Sequence, residues 1–506
     1  MSDVSAAYAE LLAHLRETAL LASCSHVLGW DEQTNLPPQG AELRSNQMAL
    51  LAGLAHERAT APRLGELFEE LSRSPDAFAP ESVEAANLRE ARRAYERALR
   101  LPRRLVEELS RVTTLSQQAW TDARRARDFG RFQPWLEQVV HLKREEAQAI
   151  GSSTGVPYDA LLDEFEPGMT SAEVTAVFSR LRDALVVLAR EIADSGRQAD
   201  RAIMHRFYPI PDQRRFGRAA AEAIGFDFTA GRLDEAAHPF CSGFGPGDCR
   251  LTTRYDERYF PQAFFGTLHE AGHGLYEQGL RREAFGSPAG QPVSLGIHES
   301  QSRMWENFVG RSLPFWSCFF PRAQAMFPEA LADVREEDFY AAINVVEPSF
   351  IRVEADEVTY NLHIMLRFEL ERPLIAGELA VPDVPHVWSE LCTQYLGLTP
   401  PDDAQGCLQD VHWSAGLIGY FPTYALGNMY AAQFFRKAAA DLGDLPGQFA
   451  RGEFQSLREW LRGNIHQRGQ QYRAGRLLDV VTGEALSHEP LVHHLRQKFG
   501  PLYGLN

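Results

Sequence analysis

Apolar positions recur at helical spacing along most of the chain. Near the start, Tyr8, Leu11, Leu12, Leu15 and Ala19 share one face, which predicts an amphipathic helix. The period returns after Thr170-Ser171-Ala172-Glu173, where Val174, Val177, Phe178, Leu181, Leu185 and Leu188 follow a capping-box pattern. The charged, Ala/Leu/Arg-rich run from Ser82 to Glu108 predicts an exposed or paired helix. Strand-like segments are few. Between Pro239 and Tyr255, Gly243, Gly245, Pro246 and Gly247 separate short β-compatible runs, which predicts a hairpin or irregular β-turn unit. From Val411 to Phe435 there is no Asp, Glu, Lys or Arg, and the run is long enough to span a bilayer. His412, Pro422, Asn428, Gln433 and three glycines interrupt it. It therefore predicts deeply buried helix and loop, lining a core or a cleft.

Composition narrows the class. The chain has 506 residues, 44% of them hydrophobic and 24% charged, as in ordinary globular proteins. No internal repeat or Ser/Gly-rich linker marks a boundary, and the Pro-rich spots near Leu36 and Pro400 read as loops. The expected architecture is mainly α, one large helical unit over residues 1–506, with two lobes allowed. The 51 Lys+Arg against 68 Asp+Glu leave a net charge of −17, which disfavours nucleic acid and anionic membrane as partners. The arginines from Arg89 to Arg104 alternate with glutamates and read as a solvated helix face. The N-terminus lacks the basic and apolar regions of a signal peptide. Six cysteines without a CxxC pair read as reduced thiols of a cytosolic protein, although Cys241 and Cys249 flank a turn and could meet. His488, His493 and His494 read as surface or helix-cap histidines. No Walker loop, dinucleotide fingerprint or GxSxG elbow occurs.

The chemistry concentrates in Pro261 to Leu280. Pro261 suits a first helical turn, and Phe264, Phe265, Leu268, Ala271 and Leu275 follow at helical spacing. Within that helix lies His269-Glu270-Ala271-Gly272-His273. Histidines four residues apart share a face, so both imidazoles can reach one metal ion, and Glu270 can touch its bound water without being a ligand. Zinc lowers the pKa of such a water towards ~7, and Glu270 can take its proton. A third protein ligand is needed, and Gly274 to Leu280 contains no histidine to supply the extended metzincin arrangement. The next segment, Gly296 to Phe308, offers Glu299, 26 residues after His273, with Ser302 and Glu306 on the same face and Ile297, Met304 and Phe308 as an apolar stripe. His298 competes with Glu299 as ligand, or serves behind the ligands or in a substrate pocket.

Taken together with other segments, this stretch resembles the thermostable carboxypeptidase Taq family of metallocarboxypeptidases. The segments are His238-Pro239-Phe240, Asp248 to Thr252, His269 to His273, His298 to Gln301, Ile351 to Asp356, and Gly406 to Trp413. Trp30 to Thr34 and Gly463 to His466 extend the likeness towards both ends. The resemblance implies a mostly helical fold with a deep groove and a small β element beside the metal, similar to neurolysin and angiotensin-converting enzyme. It implies a cytoplasmic homodimer that removes single C-terminal residues from peptides with a free C-terminal carboxylate, with broad specificity and sparing of C-terminal proline. One divalent metal ion is implied, zinc expected, with relatives working on cobalt as well.

With the family in view, His269, His273 and Glu299 are assigned as metal ligands and Glu270 as general base and later proton donor. By analogy with the helical relatives, His412 and Tyr420 are expected to stabilise the oxyanion, with Tyr424 a competing donor. An exopeptidase must hold a terminal carboxylate, and a planar guanidinium can make two parallel bonds to one. Arg352 is the lead candidate. Arg250 is a weaker one, with anchoring of the Asp248 turn as its structural alternative. His238 is expected at the substrate backbone or behind the ligands, and Asp356 and Asp410 are expected to orient ligands or Arg352. Two other functions fit the same motif: a metal-dependent oligopeptidase cutting internally, and a non-catalytic helical peptide-binding protein with a structural metal. The second is disfavoured, because a purely structural site has no need of Glu270.

Overall fold

Helices carry most of the chain, as the apolar spacing requires. The computed structural model describes residues 2–505. The first helix runs Ser2–Thr34 and buries Leu11. The predicted capping box forms: Thr170 Oγ1 accepts from the Glu173 N–H and the Glu173 carboxylate accepts from the Thr170 N–H, opening helix Ser171–Asp194. One contiguous apolar core extends from Leu105 to Tyr503. A smaller cluster of Ala7, Leu11, Leu64, Leu67, Phe68, Leu71 and Ala91 ties the first helix to helices Pro62–Ser72 and Val83–Arg100.

Three expectations need correction. The charged run from Ser82 is two helices, Val83–Arg100 and Arg103–Ala126, because Pro102 pushes Leu101 into extended backbone (φ −84°, ψ 114°). Its arginines form a seam between segments. Glu90 is buried under Arg89, Arg93 and Arg473, while Arg93 reaches Asp163 at 2.9 Å and Arg97 reaches Glu164 at 3.0 Å. Long guanidinium stems can span a gap between helices that the charge pattern alone reads as solvent. His494 is likewise no surface group: its Nε2 bonds Glu357 at 3.1 Å and its ring stacks on Phe308 at 3.9 Å. His488 does stand at the N-cap position of helix Glu489–Tyr503, and His493 is exposed.

The predicted hairpin exists as β2 (Cys241–Gly245) and β3 (Asp248–Thr253), antiparallel, with Cys241 opposite Leu251 and an irregularity between Gly243 and Gly245. A strand with no clear sequence signal, β1 (Gly231–Glu235), pairs parallel to β3, giving the order β1-β3-β2. Cys241 and Cys249 lie with their sulfurs 3.6 Å apart as free thiols. The sheet lies against helix Phe260–Gly279, where the side chains of Phe226 and Leu251 leave no room for a Cβ at Gly274. The start of this motif helix is anchored in an aromatic core: Phe260 stacks on Phe264 at 5.3 Å, and Trp316 meets Phe264 at 5.2 Å. Burial of each such side chain contributes about 1.5–3 kcal/mol, which holds the metal-motif helix on a rigid support. The uncharged run becomes a buried loop followed by helix Pro422–Leu442. Among the described residues, no helix is long and apolar enough to cross a membrane.

Candidate metal centre and active site

The motif helix places His269 and His273 on one face, and helix Leu295–Arg303 brings Glu299 to them. The two helices touch at Gly272, where a Cβ would lie 2.6 Å from the Gln301 carbonyl oxygen and from Ser302 Cα. On the other side Gly427 lets helix Pro422–Leu442 close over Glu299, since a Cβ there would lie 2.6 Å from Glu299 Cγ. Glu299 Oε2 stands 3.6 Å from His269 Nε2 and 3.4 Å from His273 Nε2. A tetrahedral ion with ligands at about 2.0–2.2 Å sets its donors about 3.3–3.6 Å apart. Among the described residues, this trio is the group whose donor atoms converge closely enough to hold a metal ion.

Hydrogen-bond partners settle the tautomers. His269 Nδ1–H donates to Glu306 Oε2 at 2.9 Å, which leaves the Nε2 lone pair for a ligand bond. His298 Nε2–H donates to Glu277 Oε1 at 2.8 Å, so its Nδ1 accepts from His273 Nδ1–H at 2.5 Å, and His273 Nε2 is free in turn. His298 is therefore placed behind a ligand. Burial pushes His273 down to about 3, so it is neutral, as a ligand must be. Burial works against charge on His269 too, but Glu299 and Glu306 more than offset it and raise its pKa. Despite burial, Arg303 and the two histidines hold the Glu299 carboxyl well below the usual range. Arg303 Nε bonds Glu299 Oε1 at 2.6 Å, Nη1 bonds Glu306 at 3.3 Å, and its guanidinium lies 4.2 Å over the Tyr360 ring. Burial pushes Glu270 up to about 7, with Glu299 and Glu306 adding to the rise against the pull of His269. Its carboxylate is not one of the converging donors.

A second cluster lies one aromatic ring away. Arg352 Nε and Nη2 bond Asp410 Oδ1 at 3.0 and 2.9 Å, and Nη1 bonds the Tyr360 hydroxyl at 3.0 Å. Arg367 Nε bonds Asp410 Oδ2 at 2.6 Å. Both arginines hold the Asp410 carboxyl well below the usual range in spite of its burial.

The profile described as carboxypeptidase Taq (M32) metallopeptidase matches residues 10–499. The chain belongs to this family. It is 51% identical to thermostable carboxypeptidase 1 of Thermus thermophilus, over 99% of both chains. It is 38% identical to carboxypeptidase 1 of Bacillus subtilis, over 94% of this chain and 95% of that one. The crystal structure of an M32 carboxypeptidase from Deinococcus radiodurans R1 superposes with a TM-score of 0.95 at 43% identity, covering 99% of this chain and 100% of the other. The protein is thus a mainly helical metallocarboxypeptidase that uses a divalent metal ion and acts on peptides.

In this M32 fold the remaining predicted residues separate. His412 is buried, with Nε2 bonded to the Tyr424 hydroxyl at 3.1 Å, and burial pushes it down to about 3. The Tyr420 ring lies 5.3 Å from that of Tyr424, and its hydroxyl is raised to about 12 by burial and by the charge of Glu299. His238 is exposed, but its neighbour Pro239 packs 4.0 Å from the Cβ position of Gly266, one turn before His269. Both ends of the Arg250 fork bond Asp248, each at 2.9 Å, and its guanidinium lies 4.4 Å over the Trp30 ring. This pairing ties Arg250 to the Asp248 turn. Asp356 accepts from the Thr359 N–H and hydroxyl and from the Val358 and Glu347 N–H groups. Asp410 is the residue that orients Arg352.

Sequence reasoning passed over Arg303 and Glu277. Both were within reach: Arg303 lies four residues after Glu299 and three before Glu306, and Glu277 lies four after His273. The segment carrying Glu306 is a π-helix, Met304–Gly310, continuing the ligand helix.

Glu166 carried no sequence signal. It accepts from the Gly296 N–H and the Tyr430 hydroxyl, both at 3.0 Å, and so satisfies the positive end of the ligand helix beside the Ser294 cap. Burial pushes its carboxyl up from 4.5 to about 7, against hydrogen bonds from Ser294, Tyr430 and Gly296. The native state thus favours the protonated form. That contribution is complete below about pH 4.5 and is lost as pH rises through 7. The loss is on the order of 3 kcal/mol by pH 8. In metal-free protein, Glu166→Gln is expected to flatten the fall in thermal midpoint between pH 5 and 8. A variant falling as steeply as the parent would contradict this.

Proposed function

We propose that the enzyme removes single C-terminal residues from peptides that end in a free carboxylate. The observation that carries this reading is the Arg352–Asp410–Arg367 cluster. Two guanidiniums against one carboxylate leave one surplus positive charge. Three of the five Arg352 N–H donors are engaged, so two remain to hold a terminal carboxylate. Tyr360 links this clamp to the metal centre, since its hydroxyl bonds Arg352 while Arg303 lies against its ring. A substrate anchored there presents its last peptide bond towards Glu270 and the donor trio.

A bound divalent ion supplies a Lewis acid that acidifies water and polarises the scissile carbonyl. We take zinc as the ion, with cobalt able to replace it, because two imidazoles and one carboxylate at tetrahedral spacing suit it. Glu270 takes the proton of the attacking water and returns it to the leaving amine. The Tyr424 hydroxyl is engaged by His412 Nε2 at 3.1 Å, with the Tyr420 ring 5.3 Å from that of Tyr424. Tyr420 is therefore taken as the donor to the oxyanion, ahead of Tyr424. His238 reaches the substrate from its exposed position beside the motif helix, and Arg250 keeps the β2–β3 turn in place. The family likeness supports reading the enzyme as broad in specificity with C-terminal proline spared, cytoplasmic, homodimeric and acting as one catalytic unit over residues 1–506.

The test uses one peptide as the free acid and as the C-terminal amide, with products followed by mass spectrometry. Stepwise loss of single residues from the free acid alone, stopped by a chelator, is the expected result. Internal cleavage, or equal cleavage of both forms, favours the oligopeptidase reading. Arg352→Lys keeps a charge for Asp410 but loses the fork. It is expected to lower kcat/KM for the free acid by about 10- to 100-fold, the worth of one charged bidentate contact.

A further inference from the structure

Helix Tyr360–Ala376 holds a carboxylate that the reaction does not use. Glu371 is fully buried. Its Oε1 accepts from Trp413 Nε1 at 2.9 Å, and its Oε2 accepts from the Tyr158 hydroxyl at 2.8 Å and the Gly419 N–H at 3.0 Å. Trp413 directly follows His412, and Gly419 directly precedes Tyr420. One carboxylate therefore grips both ends of the segment that carries the two oxyanion candidates. That segment is turns, with no α-helix or strand. Its own main-chain bonds are local, such as Gly416 N–H to the Trp413 carbonyl and Leu417 N–H to the His412 carbonyl. Local turns alone do not fix it against the helices.

The same helix grips the neighbouring positions. Arg367 bonds Asp410 and the Gln409 side-chain oxygen, and the Tyr360 hydroxyl bonds Arg352. Tyr360, Arg367 and Glu371 stand at i, i+7 and i+11, so one helix face holds the carboxylate clamp and the His412–Tyr420 segment in a single frame. Without this carboxylate the Trp413 N–H, the Tyr158 hydroxyl and the Gly419 N–H would be left without their partner. Burial pushes the Glu371 carboxyl up to about 7 even with three donors on it.

We propose that Glu371 is a positioning residue that sets His412 and Tyr420 at the reacting carbonyl by holding Trp413 and Gly419. This rests on the roles given above to His412 and Tyr420. Glu371→Gln keeps the shape but turns an amide N–H₂ towards donors. It is expected to lower kcat by about 10- to 100-fold, with KM within twofold and metal content unchanged. A structural defect lowers activity in any background, whereas a residue acting only through His412 and Tyr420 does not. In a His412→Gln/Tyr420→Phe background, Glu371→Gln is therefore expected to cost no more than about threefold.

The outcomes separate. If His412→Gln alone leaves kcat unchanged, the oxyanion reading fails. If His412→Gln lowers kcat but Glu371→Gln does not, or costs the same in both backgrounds, the positioning proposal fails. Should Glu371→Gln not fold, Tyr158→Phe decides, because it removes one hydroxyl partner of Glu371 and no packing. A kcat lowered about three- to tenfold at constant KM supports the proposal, and an unchanged kcat overturns it.

Discussion

Glu270→Gln is expected to remove about three to four orders of magnitude of kcat while leaving metal content and KM within about twofold. Gln fills the same volume on the motif helix but cannot take or return a proton, and positioned general acid–base groups contribute up to about 10⁴-fold. The metal donors keep their own supports, because His269 is held by Glu306, His273 by His298, and Glu299 by Arg303. Binding and catalysis therefore separate at this position. Steady-state kinetics with metal analysis of the same preparation makes the check. A variant that retains activity, or one that loses its metal, contradicts the assigned role.

Glu299→Gln is expected to act the other way, on metal first and on rate as a consequence. The anionic oxygen facing both histidines becomes part of a neutral amide, and the Arg303 guanidinium, bound on the other oxygen, loses its nearest counter-charge. Metal affinity is expected to fall by at least about 100-fold, more than the 10- to 100-fold cost typical of groups behind the ligands. Competition against a chromogenic chelator reads this directly. Activity should return only as divalent ion is added in excess. Glu306→Gln, acting through His269, is the internal comparison and should lose less. If the two variants bind metal equally, Glu299 is not a ligand.

Much of this enzyme can be read from residue order alone because the relevant physics is local. Helical periodicity foretold the motif helix and the capped helix after Thr170, since side chains three and four residues apart share a face whatever surrounds them. The HExxH spacing places two imidazoles beside each other for the same reason. The β2–β3 hairpin was visible in its glycines. Charge patterning was less informative. It read Arg89 to Arg104 as solvated, whereas Arg93 and Arg97 cross to Asp163 and Glu164. Pairing of long charged side chains depends on what lies opposite them, and residue order does not contain that.

By itself the sequence determined the helical class, the His269–His273 pair with Glu270 between them, and the short list of carboxylates able to complete the donor set. Tertiary structure chose among them. It brought Glu299 to both imidazoles through the close approach at Gly272 and Gly427, put His298 behind His273, and joined Arg352 to Arg367 through Asp410. It also placed Glu166 and Glu371 on partners 130 and 42 or 48 residues away. Backbone spacing within one helix is set by covalent geometry. Which helices meet, and which buried carboxylate finds which donor, is set by packing of the whole chain.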